Sequence, residues 1–443
     1  MLWSLLPRFD KFVAPGVLLA RAEQPRLFAE LESITATLHE PMPRQVYLVG
    51  DVNAFVADRG GFLGIGSRRV MGLGLPLFSI LTVSQFRAVL AHEFAHHYGG
   101  DTSLGPWVYK TQRVIVRIFE NVRSLKGLAR LAILGMMYVA VATRMKWYFQ
   151  LFLRVINLAS RRRECRADEL ACLIAGRRPL VDGLRALNGA APAWATFWKT
   201  EVAPVLGDGV VPGIVEGFAS FTSVPEIGEQ IGKYLDTQIR EEKANPYNSR
   251  PPLRDRLAAA ETFSAGEAAD DSTSARGVLD KADATEIRWL EHLNPEVKPG
   301  TLTSIRWDEV ASRVTLPRWR KSAAEYSFVL EGVTAESLPE QVPTLRQIGA
   351  GIRDPVGMLL DPAQRAHRAG QLFGVGLALA LLADGWTLTD TPGVFYFGRD
   401  GRRLNPFVVM DQLMADTLSA EDWRAQCAEL GIGGLILGPP ASR

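Results

Sequence analysis

The sequence predicts an α+β chain in two parts: a mainly helical domain with a small edge hairpin over residues 1–262, and a C-terminal α/β domain over 285–443. Three observations point there. Residues 23–39, the stretch after Thr82, the region around 161–171 and most of the chain after Gly176 carry apolar residues at helical spacing. Two glycine-punctuated apolar stretches, 61–66 and 69–75, read as the strands of a hairpin. Residues 263–284 are rich in Ser, Ala, Asp and Gly and poor in large apolar side chains, the composition of a linker.

In chain order, Pro25 sits near the start of the first helix, where its missing N–H costs nothing. Residues 45–50 read as a strand entering the hairpin. Thr82 and Gln85 form a Thr-x-x-Gln capping box for a helix whose apolar face is Phe86, Val89, Leu90 and Phe94, and Gly99-Gly100 marks its stop. Breaks are expected at Pro192, Pro204 and Pro212. In the C-terminal half, 372–383 reads as an apolar helix too short to span a membrane, and 394–404 as a strand-turn-strand with Arg399-Asp400-Gly401 at the turn. Trp307, Trp319, Trp386 and Trp423 read as core or interface residues. No catalytic constellation is visible in this half.

The chemistry concentrates in His92-Glu93-Phe94-Ala95-His96. Residues four apart share a helix face, so both imidazoles can reach one zinc ion. Glu93 sits beside the ion and can take a proton from a water whose pKa the ion lowers. His97 is one residue on from His96 and points about 100° away around the helix, so it is not expected to be a ligand. A catalytic zinc needs a third protein ligand and an open position. Glu164 and Asp168 share a face of a second helix: one can bind zinc while the other accepts a hydrogen bond from a ligand histidine. The rival is an ordinary charged helix face, since 161–169 alternates Arg with Glu and Asp.

Glu164-Cys165-Arg166-Ala167-Asp168, after the His-Glu-x-x-His helix, resembles the Glu-x-x-Ala-Asp motif of the M48 family of zinc metallopeptidases. Asn53-Ala54-Phe55, Gly100-Asp101 and Ser249-Arg250-Pro251-Pro252, with a following Arg, resemble further segments of that family in the same order, so the likeness runs from about residue 23 to about 261. The resemblance implies a gluzincin-type zinc peptidase domain over 1–262, with an apolar helical insertion at 128–160. It implies one Zn2+ per chain held by His92, His96 and Glu164, Glu93 as general base, and Asp168 and Asp101 supporting the ligands. Asn53 and Arg250 are the substrate-binding candidates; the former reads equally well as a turn residue. Arg250 replaces the family's usual His, so its role departs from the pattern, although a cation there can still stabilise an oxyanion. The expected reaction is endopeptidase hydrolysis of peptides or proteins, with protein quality control as the implied setting. The hairpin edge would pair with substrate backbone.

Composition bounds the rest. A chain of 443 residues with 47% hydrophobic and 22% charged residues can bury two cores. A net charge of +2 gives no general pull towards nucleic acid. Three cysteines (Cys165, Cys172, Cys427) suit a reducing compartment, and Cys165 and Cys172 read as small core residues rather than metal ligands. Arg8, Asp10 and Lys11 interrupt the N-terminal apolar residues, so no secretory signal is read and the site is expected to face the cytoplasm. Neither apolar run at 131–142 or 147–158 reaches the length of a spanning helix. Family members carry transmembrane helices at that position, so an interfacial or shallow hairpin, and with it membrane association through 128–160, is expected. Two helices packed on the catalytic domain or on a partner subunit are the alternative. A rival for the whole chain is a scaffold whose zinc is structural or inactive, acting through the C-terminal domain. Oligomeric state is not readable.

Overall fold

The computed structural model describes residues 13–59, 68–98, 132–242, 250–266, 269–296, 298, 300–353 and 359–438. The chain divides into two compact units: Met1–Lys199 with Ile214–Leu302, and Thr200–Gly213 with Thr303–Arg443.

The first unit is built on a four-stranded sheet of order β1-β2-β4-β3. Strand β1 (Val17–Leu19) runs antiparallel to β2 (Gln45–Val49), which runs parallel to β4 (Arg68–Gly74). Strand β3 (Ala54–Arg59) pairs antiparallel with β4 and forms one edge. The central strands are the apolar ones: Leu48, Met71 and Leu73 are fully buried. In β4 a side chain at Gly72 would collide with the Phe55 ring, so glycine is required where that ring lies across the strand. A hairpin-type antiparallel pair is present between 54–59 and β4, while the expected strand 61–66 lies outside the described residues.

Helix α1 (Pro25–Leu38) starts on Pro25 and buries Leu27, Leu31, Ile34 and Leu38, one stripe at helical spacing. It packs on α2 (Val83–Ala95), where a bidentate Arg87–Glu30 pair at 2.6 and 2.8 Å joins them. The capping box of α2 is present: Gln85 N–H donates to Thr82 Oγ1 and Thr82 N–H donates to Gln85 Oε1. The helix stops at Ala95, before the glycines expected to end it, with His96 still in right-handed conformation.

Helix α3 (Ala132–Ala175) is 44 residues long, about 66 Å at 1.5 Å per residue. This corrects the hairpin expectation within the described residues: from 132 on, the apolar runs up to 142 and over 147–158 do not fold back, and one helix carries both and the Glu164 motif, while 128–131 lie outside the described residues. Nothing between them breaks a helix, since Thr143, Arg144, Met145 and Lys146 include neither Gly nor Pro. Gly176, at φ +93°, turns the chain into α4 (Arg177–Phe197), within which Pro192 is accommodated rather than ending the helix. Then follow α5 (Ile214–Ser223), α6 (Pro225–Glu241), α7 (Leu253–Ala260) and α8 (Ala282–Leu293). Buried Glu286 of α8 accepts from the Ile214 and Val215 N–H groups at 2.6 and 3.0 Å, capping α5.

The stretch 263–284 does not behave as a linker. Val83 N–H donates to Thr273 O, Asp271 N–H donates to Ser84 Oγ, and the Gln24 side chain bonds both the N–H and the C=O of Asp280. Its backbone groups bond Val83 N–H and the Ser84 and Gln24 side chains at the starts of α1 and α2, a use that composition alone does not distinguish from solvation.

The second unit pairs β5 (Val210–Pro212) in parallel with β6 (Thr303–Ile305) and carries an antiparallel meander of β7 (Thr387–Thr391), β8 (Val394–Arg399) and β9 (Arg402–Leu404). Asp400 and Gly401 both have positive φ, as the tight turn there demands. Its core lies around α11 (Pro362–Ala383), with α9 (Leu316–Glu325), α10 (Leu345–Gly351), α12 (Pro406–Met414) and α13 (Ala420–Leu430) about it. By length and composition α11 could cross a membrane. Phe373, Leu377 and Leu381 are nevertheless fully buried within the unit's own core. Trp386 and Trp423 are core residues, and Trp307 and Trp319 pack against core clusters.

Candidate metal centre

Helix α2 presents His92 and His96 one turn apart, and α3 brings Glu164 to them. His92 Nε2 lies 3.2 Å from His96 Nε2. Glu164 places Oε2 3.6 Å from His92 Nε2 and Oε1 3.6 Å from His96 Nε2. Ligand bonds of about 2.05 Å in a tetrahedron put donors roughly 3.3 Å apart, so these spacings suit one shared ion. Among the described residues this is the one group of three or more His, Cys, Asp or Glu side chains so arranged.

The donor set also fits a metal chemically. Two imidazoles and a carboxylate suit zinc. Glu164 is 8% exposed, and its Oε2 has no hydrogen-bond partner. A buried carboxylate oxygen left unpaired is costly unless a cation occupies the space it faces.

Asp168, 1% exposed, lies behind His92. Its Oδ1 is 2.9 Å from His92 Nδ1, the ring nitrogen opposite the one that faces the shared centre. The other side of the carboxylate is gripped by Arg256 of α7, whose Nε and Nη2 donate at 2.9 and 2.7 Å. Burial would raise the Asp168 carboxyl, but Arg256 and His92 outweigh it and hold it at about 2. Glu164 is likewise brought to about 2, burial being outweighed by His92. At His92 burial is overcome by the two carboxylates and the imidazole rises to about 9. His96 has no such support: burial and the His92 charge lower it to about 4. Burial pushes the neighbouring Glu93 carboxyl up, against the lowering charges of His92 and Arg250.

Of the sequence-derived residues, His92, Glu93, His96, Glu164 and Asp168 therefore meet in one place. Asp101 lies outside the described residues. Asn53 immediately precedes β3, and its carbonyl accepts from Gly74 N–H at 2.9 Å, a turn-type contact. Arg250 is exposed and acts on Glu93 through its charge. The sequence alone does not single out Arg256, since Arg254 and Arg256 both follow Pro251-Pro252. The available signal was that a buried Asp168 needs a cation as well as a histidine. His97 lies off the centre, with its Nε2 3.2 Å from Val56 O. Cys172 is buried and Cys165 exposed, and neither belongs to the donor group.

The profile of peptidase family M48 matches residues 21–264. Over 234 residues the chain is 30% identical to Protease HtpX of Xylella fastidiosa strain 9a5c, covering 47% of this chain and 74% of that protein. Protease HtpX of strain M12 is also 30% identical, over 199 residues that cover 42% of this chain and 63% of that relative. No solved structure matches.

Proposed function

The chain belongs to peptidase family M48, and from that premise we propose that this metallopeptidase is a zinc-dependent endopeptidase with His92, His96 and Glu164 as ligands and Glu93 as base. The observation that carries the reading is the convergence of two imidazole nitrogens, 3.2 Å apart, with the Glu164 carboxylate, whose two oxygens each lie 3.6 Å from one of them, beside a carboxyl raised by burial. When bound there, zinc would polarise a scissile carbonyl and lower the pKa of water beside it. Glu93 takes a proton from the attacking water and returns it to the leaving amine. A raised pKa brings the carboxyl closer to neutrality, where both transfers are efficient. Asp168 and Arg256 keep the His92 ring in one tautomer and orientation. The positive charge of Arg250, which lowers the Glu93 carboxyl, would favour an oxyanion. An intact Glu93 favours an enzyme over a scaffold, which has no need of a base at that position.

Treating the purified protein with 1,10-phenanthroline is expected to stop cleavage of unfolded casein, and one equivalent of zinc per chain to restore it. Casein cleavage that persists after all metal is removed would overturn the reading.

The substrate class proposed is unfolded or membrane-proximal protein, with quality control the setting taken from the family resemblance. Trp147, Leu151 and Leu158 of α3 are 67%, 45% and 57% exposed. At about 100° per residue they share one stripe with exposed Arg144, Arg154 and Arg162. An apolar stripe edged by cations suits an anionic lipid surface. The chain is expected to sediment with phosphatidylglycerol vesicles, and its Trp147→Glu, Leu151→Glu, Leu158→Glu variant to stay in the supernatant. Wild-type protein that fails to sediment would remove the lipid assignment. Free cysteines accord with a site facing the cytoplasm. The second unit is proposed as an interaction or regulatory module.

A further inference from the structure

Helix α7 supplies Arg256 to the back of the metal centre, yet it begins without a cap of its own. Its N-cap is Pro252, whose ring has no acceptor to offer the first N–H groups of the helix. The acceptor comes instead from the end of α6: half-buried Glu242 takes the Leu253 N–H on its Oε2 at 3.1 Å, across eleven positions of chain. The carboxylate also puts a negative charge at the positive end of the helix, where it is favoured. Other holds on α7 are few. Within Leu253–Ala260 only Leu253 and Ala260, the two ends, are buried. Between them Arg256 follows Leu253 by one turn and grips Asp168 through Nε at 2.9 Å and Nη2 at 2.7 Å. Asp168 Oδ1 in turn lies 2.9 Å from His92 Nδ1. A fork of this kind tolerates little displacement, because guanidinium and carboxylate must stay coplanar. A tilt at the start of α7 therefore reaches Arg256 first, and His92 through Asp168.

We propose that Glu242 is a positioning residue for the metal centre: by holding Leu253 N–H it sets α7 in the placement from which Arg256 grips Asp168 with both nitrogens and Asp168 faces His92. The proposal rests on the zinc reading of the centre. The same bond fixes the end of α7 to which Arg250 is joined through Pro251 and Pro252, residues whose φ is locked by their rings. Without the carboxylate, Leu253 N–H would be left to water and α7 would no longer be held to one placement.

The test measures the zinc affinity of the full chain by competition with a chromophoric chelator. Glu242→Met keeps the length of the side chain and removes the acceptor; zinc affinity is expected to fall about tenfold. Glu242→Gln keeps a carbonyl oxygen at the same reach; affinity is expected to stay within about twofold of the parent. The discriminating result comes from the double variant. Because Glu242 acts through Asp168, adding Glu242→Met to Asp168→Asn is expected to weaken binding by less than about twofold more. A general loosening of the fold would instead add its full factor in both backgrounds. Should Glu242→Met be recovered unfolded, Glu242→Ser, polar but too short to reach Leu253, supplies the same contrast with Gln. Equal affinity of the parent and the Met variant overturns the proposal and leaves the zinc reading standing. An effect that adds in full to Asp168→Asn, or a Gln variant as weak as Met, also overturns it. A parent that takes up no zinc would sink the zinc reading itself, and this proposal with it.

Discussion

Glu93→Gln is expected to lower kcat/KM for peptide cleavage by about 10³-fold or more, and the purified variant to keep one zinc ion per chain. The amide matches the carboxylate in size and cannot accept the water proton, so the loss falls on the chemical step. Glu93 is not among the converging donors, which are His92, His96 and Glu164. Its removal should leave the ion in place. Casein digestion and metal analysis on the same preparation check both halves. Equal cleavage by wild type and variant would remove Glu93 as base; loss of zinc together with activity would make it part of the donor set.

Glu164→Ala has the second largest expected effect, on metal content rather than on the chemical step. Loss of one of three protein ligands is expected to weaken zinc binding by about 10³-fold. Asp168→Asn removes only the acceptor behind His92 and is expected to weaken binding by about 10- to 100-fold. Competition with a chromophoric chelator ranks the two. Unchanged zinc stoichiometry in dialysed Glu164→Ala would strike Glu164 from the ligand set. The ranking matters because both carboxylates lie near His92, at 3.6 Å for Glu164 and 2.9 Å for Asp168. They touch different nitrogens of the same ring.

What could be read from the sequence was what is encoded locally. The Thr82–Gln85 box, Pro25 at a helix start, Asp400-Gly401 at a turn and the four-residue spacing of His92 and His96 each involve neighbours within one or two turns of chain. Glu164 needed the likeness to a family, because residue spacing alone leaves it interchangeable with Asp168. Contacts between distant segments stayed hidden. Arg256 meets Asp168 across 88 positions, and Gln24 meets Asp280 across 256. The assignment of 200–213 to the second unit depends on β5 finding β6 some ninety residues later, and three-residue strands carry almost no pattern of their own. The 263–284 error has the same origin: Ser, Asp and Gly look alike whether they bind water or another segment's backbone.

One practical consequence attaches to the uninterrupted course of α3. Trp147 and Glu164 ride on a single rod, and the stretch 128–160 lies partly within it. Excising that stretch to ask whether the protein detaches from bilayers would shear off most of the shaft on which Glu164 is mounted. The truncated product would come out metal-poor whatever its affinity for lipid. Point changes on the outward stripe leave the shaft whole, and only they let localisation and metal loading be scored separately.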